Sequence, residues 1–129
     1  MNKEELLNLL NSLELPKTEY YILSSGSLLL YGLRELAGDL DLCVSYQLFN
    51  ELKIKYNLTG NDKNECGFYH ISKDIEIIPN DKTKFKMKYH DGYPVEDLRT
   101  ILAFKEKRNA AKDQKDIENI RKYLKENNY

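Results

Sequence analysis

The sequence is poor in the features that assign a protein to a class at a glance. It has two cysteines, Cys43 and Cys66, and two histidines, His70 and His90, with no Cys-x-x-Cys pair. That is too thin a set for a structural zinc site, and free thiols in a reducing compartment are expected. No apolar run approaches the roughly 20 residues of a membrane-spanning helix. Met1-Asn2-Lys3-Glu4-Glu5 has no hydrophobic leader segment, so a soluble, cytoplasmic protein is expected. Charge of one sign is missing too. Twenty Lys and Arg stand against twenty-one Asp and Glu, a net charge of −1, which excludes a polycation that holds nucleic acid nonspecifically. An anionic ligand therefore requires a local site. Internal repeats and low-complexity segments are absent, and the 129 residues read as one α/β (α+β) domain over 1–129, with a core over about 1–90 and a C-terminal helical hairpin over about 95–126.

Leu6, Leu7, Leu9, Leu10 and Leu13 recur at helical spacing over Asn2 to Leu13, with Asn2 and Glu5 placed as a capping box and Pro16 closing the segment. Tyr20 to Leu23 is a short apolar run of strand-forming residues that ends at Ser24-Ser25-Gly26-Ser27. A second helix is predicted over Leu28 to Leu36, ended by Gly38. Asp39 to Ser45 alternates carboxylates with Leu40 and Leu42, a strand with one packed and one polar face. Tyr46 to Tyr56 reads as a helix and Leu58 to Glu65 as a polar loop. Gly67 to Ser72 and Ile75 to Ile78 read as strands joined by Lys73-Asp74 and ended by Pro79 and Asn80. Residues 82–89 alternate Lys82, Lys84, Lys86 and Lys88 with mostly apolar side chains, which predicts an amphipathic strand. Two helices follow, about Val95 to Arg108 and Asp113 to Lys125. The architecture expected is a short mixed sheet backed by helices, closed by the hairpin.

The informative segment runs from Gly26-Ser27 to Asp39-Leu40-Asp41-Leu42. A glycine and a serine between a strand and a helix supply a small backbone, a hydroxyl and free N–H groups, which suit a phosphate. Two aspartates one residue apart on a strand project to the same side and resist joint ionisation unless a cation lies between them. Glu76, flanked by Ile75 and Ile77, offers a third carboxylate, with Asp74 of the same parity as its competitor in the turn. Three carboxylates beside a phosphate cradle are the donor set of two-metal phosphoryl chemistry. Each signal has a plainer explanation: Gly26-Ser27 as a helix cap, Asp39 and Asp41 as the solvated face of a strand. The conjunction favours the chemical one.

These residues resemble the nucleotidyltransferase superfamily built on the DNA polymerase β catalytic fold. Its pattern is a glycine followed by glycine or serine, about ten residues, then Asp, a hydrophobic residue, Asp or Glu, and a hydrophobic residue. Glu96-Asp97-Leu98 through Lys105, Arg108 and Lys112-Asp113 to Asp116-Ile117 is similar to the tail of small stand-alone members related to abortive-infection toxins and lincosamide-modifying enzymes. The two segments cover most of residues 20–120. Ser27 is followed by Leu28-Leu29-Leu30, unlike the Ala-Arg-Gly type segment of the small antitoxin branch. The resemblance implies a magnesium-dependent enzyme that moves a nucleoside monophosphate from an NTP to an acceptor hydroxyl and releases pyrophosphate. Asp39, Asp41 and Glu76 would hold two Mg²⁺ ions, while Gly26 and Ser27 would hold the β- and γ-phosphates. The acceptor would be an RNA end, a protein side chain or a small hydroxylated molecule, and a toxin–antitoxin partner is a further implication. The alternative is a module of the same fold that binds nucleotide or protein without turnover.

On a helical wheel Lys105 falls in the middle of the apolar arc of its helix, with Arg108 on the same side. Lys105, Arg108 and Lys112 are therefore candidate triphosphate ligands, against a snorkelling lysine at a helix end. In the empty protein the expected partner of Lys105 is Asp39, Asp41 or Glu76, and Lys105→Met is expected to fold normally. Asp113 and Asp116 read as the N-cap and first-turn acid of the last helix. Lys82 to Lys88 read as the charged face of an edge strand, with a basic track for nucleic acid as the alternative.

Overall fold

The computed structural model describes residues 1–127. Asn2 caps α1 (Lys3–Ser12) through the predicted reciprocal bonds with Glu5. The chain then forms β1 (Tyr20–Ile22), α2 (Ser24–Leu30), β2 (Leu40–Ser45), α3 (Tyr46–Lys55), β3 (Tyr69–Ser72), β4 (Ile75–Asn80), β5 (Met87–His90), β6 (Tyr93–Glu96), α4 (Leu98–Arg108) and α5 (Gln114–Glu126). Among the described residues this is an α+β fold of five helices and one mixed six-stranded sheet, ordered β3-β4-β2-β1-β6-β5. The pairs β2–β4 and β1–β6 are parallel; β1–β2, β3–β4 and β5–β6 are antiparallel.

Strand alternation sorts the sheet into two faces. Ile22, Leu40, Leu42, Val44, Ile75, Ile77 and Val95 join one hydrophobic core with Leu6 and Leu10 of α1, Leu28 to Leu30 of α2, Leu48 and Leu52 of α3, Leu98 and Ile101 of α4 and Ile120 of α5. The residues of opposite parity, Tyr21, Asp41, Cys43, Glu76 and Glu96, lie on the other face. There Phe85 packs edge-on against Tyr21 with ring centroids 4.9 Å apart. Every candidate carboxylate of the strands is thus on the side away from the helical core.

Several element boundaries differ from the sequence reading. The second helix starts at Ser24 and stops at Leu30, because Gly32 (φ +75°) and Leu33 donate to the carbonyls of Leu29 and Leu28 in a glycine-terminated cap. Gly38 has no part in ending it. Pro79 and Asn80 continue β4 beside Val44 and Ser45, where β3 has already ended and a missing N–H is tolerated. Residues 82–89 are not one strand: Asp81 caps a 3-10 turn over Lys82–Lys84, and only Met87–His90 pairs, at the sheet edge. Val95 belongs to β6, paired with Ile22, and α4 begins at Leu98 behind the Asp97 cap.

Gly26 is dictated by packing. A Cβ there would lie 2.6 Å from Ile22 Cγ2, a side chain that is itself fully buried. Gly26→Ala is expected to cost about 1–3 kcal/mol through this clash, read from the denaturant midpoint. A parental midpoint would show that Ile22 has room to turn.

Candidate active site

The register of β2 and β4 sets Asp41 directly beside Glu76, and β3 sets His70 beside Glu76 in turn. His70 Nε2 lies 3.0 Å from Glu76 Oε1. The third contact depends on an irregularity. With Ser72 opposite Ile75, a regular hairpin would place Ile71 opposite Glu76; the register instead shifts between His70 and Ser72, so that His70 takes that position. The extra residue turns His70 onto the carboxylate face while Tyr69 and Ile71 pack toward the core.

Asp41 is only partly accessible, and its Oδ1 is buried with no hydrogen-bond partner. Burial, followed by the charges of Glu76 and Asp39, pushes its carboxyl up to about 6, with His70 pulling weakly the other way. Asp39 stands exposed just before the strand. A divalent cation would supply what this pair lacks, since hard cations take carboxylate oxygens and cancel their mutual repulsion. The donor types fit magnesium. Among the described residues, however, no group of three or more His, Cys, Asp or Glu side chains is gathered in a metal-holding arrangement. The site is an opposed pair with Asp39 at its mouth rather than a closed cage.

The predicted phosphate cradle is built differently from the expectation. Gly26 and Ser27 are both buried. The Ser27 hydroxyl donates to the Ile22 carbonyl at 2.6 Å and accepts from the Glu96 N–H at 3.0 Å, tying β1, α2 and β6 together. It is used by the fold and is not presented to an outside phosphate. At the start of α2 the Ser24 N–H donates to Glu96 Oε1 at 2.9 Å. Burial raises the pKa of Glu96, with the Ser24 bond opposing that rise. The Leu23 N–H donates to the Asp41 carbonyl at 2.9 Å, so this turn adjoins the carboxylate pair directly.

Lys105 is buried, as the helical wheel predicts, but its ammonium meets neither Asp39, Asp41 nor Glu76. It lies 3.3 Å from Asp113 Oδ1 and 3.2 Å from Asp116 Oδ2. Asp113 does not cap α5 with its side chain; its two oxygens accept from Arg108 instead. Arg108, and then Lys105, hold the Asp113 carboxyl well below the usual carboxylate range. Asp116 also accepts from Arg34 Nη1 at 3.2 Å, which brings the loop after α2 into the cluster. Arg108 and Lys112 are both exposed. Sequence reasoning missed His70, Glu96 and Arg34, because a bulge, a backbone N–H and a loop-to-helix contact have no local sequence pattern.

No family model, curated protein or solved structure matches the chain.

Two predictions follow from these charges. Lys105→Met leaves Asp113 and Asp116 buried beside one cation fewer, so it should destabilise the fold by about 3 kcal/mol rather than fold as the parent does. An unchanged urea midpoint would contradict this. Asp41 loses its proton near pH 4 when unfolded and near 6 when folded, so its ionisation destabilises the fold fully above about pH 6 and not at all below about 4. Asp41→Asn should therefore raise Tm by about 3 °C or more at pH 7.5, with the gain vanishing by pH 3.5. A gain that does not change with pH would refute the assignment.

Proposed function

We propose that the protein is a magnesium-dependent nucleotidyltransferase with the catalytic fold of the DNA polymerase β superfamily, moving a nucleoside monophosphate from an NTP to an acceptor hydroxyl and releasing pyrophosphate. The observation that carries this reading is Asp41: a carboxylate with a buried, unpartnered oxygen, set by strand register beside Glu76 and two residues from Asp39. Asp41 lies on the sheet face away from the helical core, where it is partly accessible. Asp39 and Asp41 would hold magnesium, with Glu76 as the third ligand. When bound, that cation supplies charge neutralisation for the phosphoryl group and lowers the pKa of the attacking hydroxyl.

The chain's own part is positional. Glu76, oriented by His70, is the group placed to accept the acceptor's proton. The backbone bond from Leu23 to Asp41 ties the start of α2 to β2, and Asp41 and Glu76 are held on paired strands. The acceptor classes remain an RNA end, a protein side chain or a small hydroxylated molecule, and the toxin–antitoxin association remains part of the proposal.

One set of observations favours a second reading, a module of the same fold that binds without turnover. Glu76 is engaged by His70, and the Ser27 hydroxyl is engaged by Ile22 and Glu96, so two groups assigned to the transferase site have partners within the chain. The deciding experiment incubates the protein with each labelled NTP, Mg²⁺ and a cell extract, and follows label transfer and pyrophosphate. The enzyme reading expects both, with a loss of about a hundredfold or more in Asp39→Asn and Asp41→Asn. Metal-dependent NTP binding without pyrophosphate would establish the binding module. Unchanged turnover in both variants would remove these carboxylates from the site.

A further inference from the structure

A cleft of about 700 Å³ opens between the loop after α2 and the start of α5, lined by Gly32 to Leu36 on one side and by Lys112, Lys115, Asp116 and Asn119 on the other. Its volume suits a nucleotide-sized ligand. The walls are held together by two contacts. Asn119 Nδ2 donates to the Leu33 carbonyl at 3.3 Å, and Arg34 Nη1 bridges Asp116 at 3.2 Å and the Ser25 hydroxyl at 3.3 Å. Arg34 Nε donates to the Leu36 carbonyl. Nε and Nη1 are thereby engaged, and Nη2 makes no hydrogen bond among the described residues.

The charges facing the cleft are Arg34, Lys112 and Lys115 against Glu35 and Asp116. Asp116 is already met from behind by the buried Lys105. Lys112 and Lys115 are exposed and make no ion pair among the described residues, in a protein whose net charge is −1. The free Nη2 of a guanidinium held in place, with two unpaired ammonium groups on the rim, is charge-assisted donor chemistry that recognises phosphoryl oxygens. Arg34 also holds Ser25 in the first turn of α2, two residues beyond Leu23, whose N–H bonds to the Asp41 backbone carbonyl.

We propose that this cleft is a phosphate-binding subsite in which Arg34, Lys112 and Lys115 receive the polyphosphate or phosphodiester group of a nucleotide substrate. The proposal rests on the transferase reading for the identity of that substrate. The two sources share one chemistry, but they differ in which molecule competes for the site.

The test is calorimetric titration without Mg²⁺, using inorganic tripolyphosphate, ATP and a single-stranded RNA of about ten nucleotides as probes. Lys112→Gln with Lys115→Gln removes two exposed, unpaired charges and leaves the fold intact. It should raise the Kd of the preferred probe about tenfold or more, whereas Lys53→Gln with Lys55→Gln, the same charge change on α3, should leave it within about twofold. Arg34→Lys keeps the charge but loses the fixed Nη2 donor, and it should weaken the same probe. Selective loss for tripolyphosphate and ATP assigns the subsite to the NTP; selective loss for RNA assigns it to the acceptor. A parent that binds none of the three, or a double variant that matches the α3 control, overturns the proposal. Because these titrations need neither metal nor turnover, a lost subsite and a failed transferase reading give separate results.

Discussion

The placement of Asp41 beside Glu76 is the constraint around which the sheet is organised. Like charges opposed across neighbouring strands are destabilising, yet the pairing cannot slip to relieve them. Leu40, Leu42 and Val44 on β2, with Ile75 and Ile77 on β4, must all face the helical core. A shift of one residue would turn that whole set outward. The hydrophobic register that stabilises the domain thus imposes the electrostatic conflict on its other face. His70, brought alongside by the bulge in β3, relieves part of it.

The remaining polar groups act as fasteners around that face. Ser27 joins the end of β1 to the start of α2 and to β6 with one hydroxyl, using both its donor and its acceptor capacity. On the helical side Lys105 gathers Asp113 and Asp116, and Arg34 extends the same network to the loop after α2. An isolated buried ammonium would be costly, so α4 and α5 are committed to one docking arrangement. The outcome is a carboxylate face framed by fixed elements.

What could be read from the chain was whatever depends on periodicity and local chemistry. The capping box at Asn2 and Glu5, the buried Lys105 and the alternation that turns Asp41 and Glu76 away from the core all follow from residues close in sequence, whereas Asp39 stands before the strand. What could not be read depends on residues far apart. Gly32 rather than Gly38 ends α2; of the leucines that extend the apolar pattern beyond it, Leu33 packs against the core and Leu36 is exposed. Val95 fits a helical wheel well, but pairing with Ile22 makes it a strand residue. Lys105 was correctly placed inside, whereas its partners were not, since a wheel gives a direction and not the identity of what lies there.

The Gly-Ser motif now has a sufficient structural explanation. Ile22 allows no side chain at position 26, and the hydroxyl at position 27 serves two backbone groups. It is therefore weaker evidence for phosphate binding than its residue types imply. Asp41 has no such explanation. Beside another carboxylate, an apolar or amide side chain would avoid both desolvation and repulsion. A charge held where the fold gains nothing from it is the kind of cost a protein retains for binding or chemistry. The argument for a functional site therefore rests on the carboxylate that packing disfavours, rather than on the glycine and serine that packing requires.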